Sequence, residues 1–221
     1  MSHLRLVSTQ SAAAPGIEAP AIAPASRRSW RGGLPHLRGA RAALRELRPS
    51  DATALFEALA RADVTRFISP PPATVTGFEQ FLLWAQRERA AGTHICFGIL
   101  QPGTDVPVGL FQVRALEGGF RVSEWGFALA PEHWGTGLFI ESAQLALEFA
   151  FVELGVHRLE ARAVVRNGRG NAALRKLGAI QEGVLRESFY RNGEYMDQIL
   201  WTILSDGWLR DRCEFKLPLF H

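Results

Sequence analysis

Apolar and polar positions in this chain switch between a helical period and a strand period, and the switches outline the fold. Leu44 and Leu47 mark a first strand, and Pro49-Ser50-Asp51 reads as a turn carrying a helix N-cap. Asp51 to Arg61 is an amphipathic helix, and a short helix over Val64 to Ile68 precedes the breaker Pro70-Pro71-Pro72. Thr76 to Ala91 sets Phe78, Phe81, Leu82 and Ala85 on one helical face, and Gly92 ends it. Three strands follow, His94–Leu100, Val106–Ala115 and Phe120–Ala130, with turns at residues 101–105 and 117–119 too short for anything but an antiparallel meander. Leu138–Leu154 is apolar around most of its circumference, which predicts a helix buried against the sheet. Arg158–Val165 is reached through that helix, so it should run parallel to Phe120–Ala130. A short helix over Asn171–Leu177 and a hairpin of Val184–Tyr190 with Tyr195–Leu204, turning at Arg191-Asn192-Gly193-Glu194, complete the chain. The order β-α-α-α-β-β-β-α-β-α-β-β defines an α+β protein with a mixed, mostly antiparallel sheet and flanking helices.

Met1 to Ala40 shows no such periodicity and is rich in Ala, Pro, Ser, Gly and Arg. It predicts a disordered extension over residues 1–41, a domain over 42–210 and a tail over 211–221. Charge sharpens that division. The formal net charge is +3, yet the first 41 residues carry six arginines against one acid, Glu18. The remaining 180 residues hold 19 basic and 21 acidic side chains, so the body is mildly acidic and is not expected to bind nucleic acid. The basic extension reads as a solvated segment, with contact to an anionic partner as the alternative. No stretch approaches eighteen apolar residues and no continuous apolar leader is present, which predicts a cytoplasmic protein without membrane contact. The two cysteines, Cys96 and Cys213, and the six histidines lack ligand spacing, so no metal is expected.

The candidate chemistry is concentrated in Pro131-Glu132-His133-Trp134-Gly135-Thr136-Gly137-Leu138, where the third meander strand hands over to the long helix. Two glycines one residue apart at a helix mouth expose main-chain N–H groups, and the helix dipole adds partial positive charge, which suits an anion such as a pyrophosphate. A second block follows: Asn167-Gly168-Arg169-Gly170-Asn171, Lys176-Leu177-Gly178 and Glu182-Gly183. Together the two blocks resemble those of the GNAT N-acyltransferases, within them the RimJ/RimL-type protein N-acetyltransferases, over about residues 42–210. Trp134, Glu141, Asp197 and Trp208 fit the same pattern.

The resemblance implies acetyl-CoA as cosubstrate and an amine as acceptor, with no metal, and leaves monomer and homodimer open. Gly135, Thr136, Gly137 and Leu138 fall on the pyrophosphate loop, with His133 and Trp134 beside it. Phe127, Ala128 and Leu129 would offer main-chain groups to the pantetheine arm, and Asn167, Gly170 and Asn171 would line the coenzyme from the second block. Three departures stand out. Glu132 occupies a place where relatives often carry Gln or Arg, Phe139 replaces a small residue, and Gly170 replaces a Ser assigned in relatives to protonating the leaving thiolate.

Acetyl transfer by direct attack needs a neutral amine. An α-amine of pKa about 8 is roughly a tenth free base at pH 7, whereas a lysine is under about a thousandth, so a protein N-terminus asks less of a base. By resemblance Glu124 is the candidate base; the alternative is a solvated carboxylate on an open sheet face. Tyr190 and Tyr195, the only tyrosines, are candidate proton donors to the thiolate, with strand packing as their alternative. Asn167 has helix capping as its second reading, and Trp84, Trp125 and Trp134 divide between an acceptor pocket and core packing. The leading expectation is a peptide N-terminal acetyltransferase. A small-amine enzyme acting on an aminoglycoside or polyamine, and a non-catalytic acyl-CoA sensor, are the alternatives.

Overall fold

The computed structural model describes residues 30–216, with side chains to Arg210. Strands β1 (Leu37–Arg38) and β2 (Ala43–Glu46) open the fold. Helices α1 (Ala52–Leu59), α2 (Ala62–Thr65) and α3 (Val75–Ala91) lead to the meander β3 (His94–Leu100), β4 (Pro107–Glu117) and β5 (Gly119–Leu129). Then come α4 (Leu138–Glu148), β6 (Arg158–Val164), α5 (Gly168–Lys176), β7 (Ile180–Arg191), β8 (Glu194–Leu204) and α6 (Ser205–Lys216). The eight strands form one sheet in the order β1-β2-β3-β4-β5-β6-β8-β7, antiparallel throughout except for β5 with β6. The parallel pair is the one reached through α4, as the connection length requires. Among the described residues no helix is long and apolar enough to cross a membrane.

Alternation along the central strands feeds two cores, one on each face of the sheet. Ile95, Phe97 and Ile99 of β3 pack with Phe111, Val113 and Trp125 against Leu138, Ala143, Ala146 and Leu147 of α4. Cys96, Leu110 and Ala128 point the other way, toward Leu55 and Leu59 of α1 and Phe78, Leu82 and Ala85 of α3. Burial on both faces explains why β3, buried at every position, is apolar from Ile95 onward. It also pushes the Cys96 thiol up to about 12, so this cysteine packs rather than reacts. The ends of α3 follow their residue chemistry: Thr74 Oγ1 accepts from Gly77 N–H, and Gly92 closes the helix at φ +83°.

The structure departs from the sequence expectations at four places. Residues 30–41 belong to the fold, because Trp30 packs edge-on against Phe120, Arg31 donates to the Ala91 carbonyl and β1 pairs with β2. Residues 1–29 lie outside the described residues. At the other end α6 continues past Arg210 to Lys216. The helix expected over residues 138–154 widens after Glu148 into a π-helical turn, Phe149–Glu153, that buries Phe149, Ala150 and Phe151 in succession.

Asp51 is the fourth departure, because its carboxylate does not cap α1. It receives both Nη atoms of Arg45 at 2.7 and 2.8 Å and the Arg48 N–H at 2.7 Å. Arg45, 1% exposed, spends its remaining donors on Asp105 and the Glu46 carbonyl. Removing one partner of a buried, fully bonded pair strands the other charge. Asp51→Ala is therefore expected to cost about 3–5 kcal/mol, read from chemical denaturation.

Candidate active site

The sheet splits at its centre. β5 and β6 are in register only at Val122, Ser123 and Glu124, opposite Arg158, Leu159 and Glu160, whereas β5 keeps pairing with β4 as far as Leu129. Ala130 N–H donates to Val108 O across the β4 side, and His157 N–H donates to Arg121 O across the β6 side. Ladder bonds alternate, so even-numbered residues of β5 face β4 and odd-numbered ones face β6. Phe127 and Leu129 thus turn main-chain N–H groups into the split, where β6 offers no partner. Ala128 does not, although it lines the cleft below: its main-chain groups belong to the β4 ladder, which corrects the expectation that it offers them to the pantetheine arm.

The phosphate-loop candidates sit at the mouth of α4, next to the end of β5. Gly135 and Gly137 take φ of +77° and +88°, and Gly137 is the helix N-cap with no side-chain cap. The N–H groups of Gly135, Thr136 and Gly137 have no acceptor among the described residues, while Thr136 Oγ1 braces the loop by donating to His133 O and accepting from Leu138 N–H. Trp134 Nε1 donates to Leu129 O, and its ring carries the Arg169 guanidinium 3.9 Å from its centroid, tying the loop to the start of α5. Glu141 accepts from the main-chain N–H groups of Ala40 and Arg41, which brings Arg41 Nη1 to within 3.2 Å of where a Cβ on Gly137 would stand. Free main-chain donors, a helix terminus and two guanidiniums suit a diphosphate.

Two of the three departures lose their force in this geometry. Glu132 turns away to pair with Arg61; its own main-chain N–H and that guanidinium hold its carboxyl below the usual carboxylate range. The Phe139 ring packs 4.3 Å from that of Phe127, against the sheet. Gly170 has a local cause: a Cβ there would come within 2.6 Å of the Asn167 amide, which caps α5 by accepting Gly170 N–H. Asn167 and Gly170 both line the cleft below. Asn171 does not reach it. Its amide nitrogen donates to carbonyls of Val164, Val165 and Asn167, and its oxygen accepts Trp201 Nε1, so this buried amide is committed to holding α5 on the sheet.

A cleft of about 840 Å³ opens on the α3 side of the split. Phe67, Phe81, Trp84 and Phe189 supply apolar wall, and Gln112, Ser188 and Gln198 supply polar contacts, whereas the Trp125 side chain packs in the core on the α4 side. Glu124 stands where the strands part. Its Oε2 accepts from Arg114 Nη2 at 2.5 Å, and its Oε1 lies 3.8 Å from Arg162 Nε, too far for a hydrogen bond. Oε1 is thus open to a further donor. Tyr190 and Tyr195 pair with each other at the β7–β8 tip, 60% and 62% exposed, and neither lines the cleft. The expectation that one protonates the thiolate is corrected on that ground.

Two cleft features were invisible in the sequence. A bulge at Glu187, φ +49°, whose N–H donates to Asp197, swings Ser188 and Phe189 into the wall. His94 is buried beneath Trp84 and bonds Gln112 through Nε2, and burial lowers its pKa. An unfolded chain takes up this proton first as pH falls below 6.5, so acidification should cost stability. His94→Gln is expected to flatten that loss between pH 7.5 and 5.5 in denaturation midpoints, each pH roughly one unit either side of the histidine reference value.

A split sheet, a helix mouth with free main-chain donors and a carboxylate where the strands part would suit acyl transfer from a thioester that carries a diphosphate. Residues 41–180 match the acetyltransferase (GNAT) domain, and the chain belongs to that family of N-acetyltransferases, whose members use acetyl-CoA. YoaA of Bacillus subtilis, an uncharacterised N-acetyltransferase, is 29% identical over 77% of this chain and 97% of its own. YdaF of the same organism, provisionally named a ribosomal N-acetyltransferase, is 26% identical over 75% and 92%. The spermidine N(1)-acetyltransferase of Escherichia coli is 30% identical over 50% of this chain and 58% of its own. Mycobacterium smegmatis RimJ, solved with CoA-disulfide, shares the fold at a TM-score of 0.69 and 22% identity, over 75% of this chain and 83% of that one.

Proposed function

We propose that this enzyme acetylates the α-amine of a peptide or protein N-terminus by direct attack. The observation that carries the reading is the charge of the cleft: Glu124 is the one carboxylate among its lining residues. A polyamine acceptor, the reading that spermidine acetyltransferases suggest, calls for several carboxylates to meet its several ammonium groups. An α-amine calls for one modest base.

Acetyl-CoA supplies the acetyl group as a thioester. The loop at Gly135–Gly137, with Arg41 and Arg169, holds the diphosphate, and the N–H groups of Phe127 and Leu129 line the path of the arm and face the carbonyl oxygen. Glu124 Oε1 takes the proton from the incoming amine as the nitrogen–carbon bond forms and the carbon–sulfur bond breaks. No side chain is assigned to protonate the departing thiolate, since Gly170 has none and the tyrosines lie elsewhere.

Incubation with acetyl-CoA and a panel of peptides, spermidine and an aminoglycoside, followed by thiol release and mass spectrometry, tests this. Acetylated peptide N-termini ahead of both small amines are expected. Faster turnover of either small amine overturns the acceptor assignment. If coenzyme A raises the melting temperature but no amine is acetylated, the non-catalytic acyl-CoA sensor is the better account.

A further inference from the structure

Arg114, Glu124 and Arg162 lie side by side on β4, β5 and β6, on the face of the sheet that floors the cleft. Arg114 is the cross-strand partner of Glu124, and Arg162 is two residues beyond Glu160, which pairs with Glu124 in the parallel register. Glu160 does not line the cleft and is taken by Arg158. The cleft therefore holds two guanidiniums against one carboxylate, an excess of positive charge beside the reacting amine. Arg114 is engaged by Glu124, but Arg162, 44% exposed, makes no hydrogen bond among the described residues. Its planar fork of donors matches a carboxylate. Once Glu124 accepts the amine's proton, both guanidiniums lose their counter-charge.

We infer that the acceptor carries a carboxylate a few bonds from its amine, and that Arg162 reads it. The inference rests on the N-terminal acetyltransferase reading and narrows it to peptides that begin with an acidic residue. A free amino acid offers the same chemistry through its α-carboxylate. An amine hydrogen-bonded to Glu124 Oε1 sits beside Arg162, so either carboxylate falls within reach of the fork. A polycation entering the same place meets like charge.

The test compares kcat/KM for peptide amides identical except at the first residue, Glu, Gln or Lys, with free glutamate and spermidine as separate arms. The Glu-initiated peptide is expected to exceed its Gln counterpart by about tenfold, with Lys lowest, and the ratio should fall as ionic strength rises. Free glutamate outrunning the Glu peptide would keep the carboxylate rule but move the source to small acids. Arg162→Gln should bring the Glu-to-Gln ratio toward one through KM, and Arg162→Lys should restore part of it; unchanged stabilisation by coenzyme A certifies the fold. Equal rates for Glu and Gln peptides in the unmodified enzyme, a ratio untouched by Arg162→Gln, or spermidine as the best acceptor would each overturn the inference. Acetylation of peptides without that preference would leave the N-terminal reading standing, whereas no acetylation of any amine would remove both.

Discussion

Glu124→Gln is expected to lower kcat by about 10²–10⁴-fold while leaving the acetyl-CoA KM within about threefold, because general base catalysis contributes on that scale and the coenzyme loop lies elsewhere. The amide keeps the size of the carboxylate and can still accept a hydrogen bond from Arg114, itself 58% exposed, so the fold should tolerate the change. The pH profile carries the sharper information. With a base in place, an ammonium can lose its proton inside the cleft. Without one, the rate follows the fraction of acceptor already neutral in solution, and so should climb tenfold per pH unit up to the acceptor's own pKa of about 8. A profile identical to that of the parent enzyme would remove Glu124 from the reaction, whatever the drop in rate.

Gly137→Val should weaken coenzyme A binding by about ten- to a hundredfold, measured by calorimetry. The residue holds φ at +88°, where a β-branched side chain is strained by an order of 1–3 kcal/mol. Its Cβ would also press toward Arg41 Nη1, at 3.2 Å from the position it must take. The loop can relieve this only by rotating the main chain whose N–H groups form the cradle. Gly135→Ala is a graded control: its φ of +77° is also left-handed, but a Cβ there meets nothing within 4 Å. An unchanged affinity in Gly137→Val would mean that the diphosphate is held by the guanidiniums alone.

The parts legible in the sequence are those whose cause is local. α3 announces itself through its apolar face, Thr74 and Gly92, and the meander through its turns at 101–105 and 117–119. The glycine pair at 135 and 137 is legible because only a main-chain requirement explains two such residues at a helix mouth. What escaped depends on which partners the fold brings together. Asp51 looks like a cap until Arg45 is placed beside it. Asn171 looks available until Trp201, thirty residues on, claims its oxygen. The tyrosines are chemically suitable donors, and only the hairpin's geometry sends them away from the cleft. The Glu187 bulge leaves no residue-type signature, because a glutamate at positive φ is held there by Asp197.

Three residue pairs in register, with the bond from His157 N–H to Arg121 O just before them, join the β5 backbone to β6. The two halves of the sheet, β1–β5 and β6–β8–β7, therefore meet through a short seam with Glu124 at its open end, like covers joined by part of a spine. A bound coenzyme arm would act as a strut across the opening, so ligand binding and mechanical stiffness should rise together. Amide hydrogen exchange would register this directly: Phe127 and Leu129 should trade protons readily in the empty enzyme and slow sharply with coenzyme A, while their even-numbered neighbours change little. On the proposed reading, a base at the tip of such a seam feels every change in how far the covers stand apart.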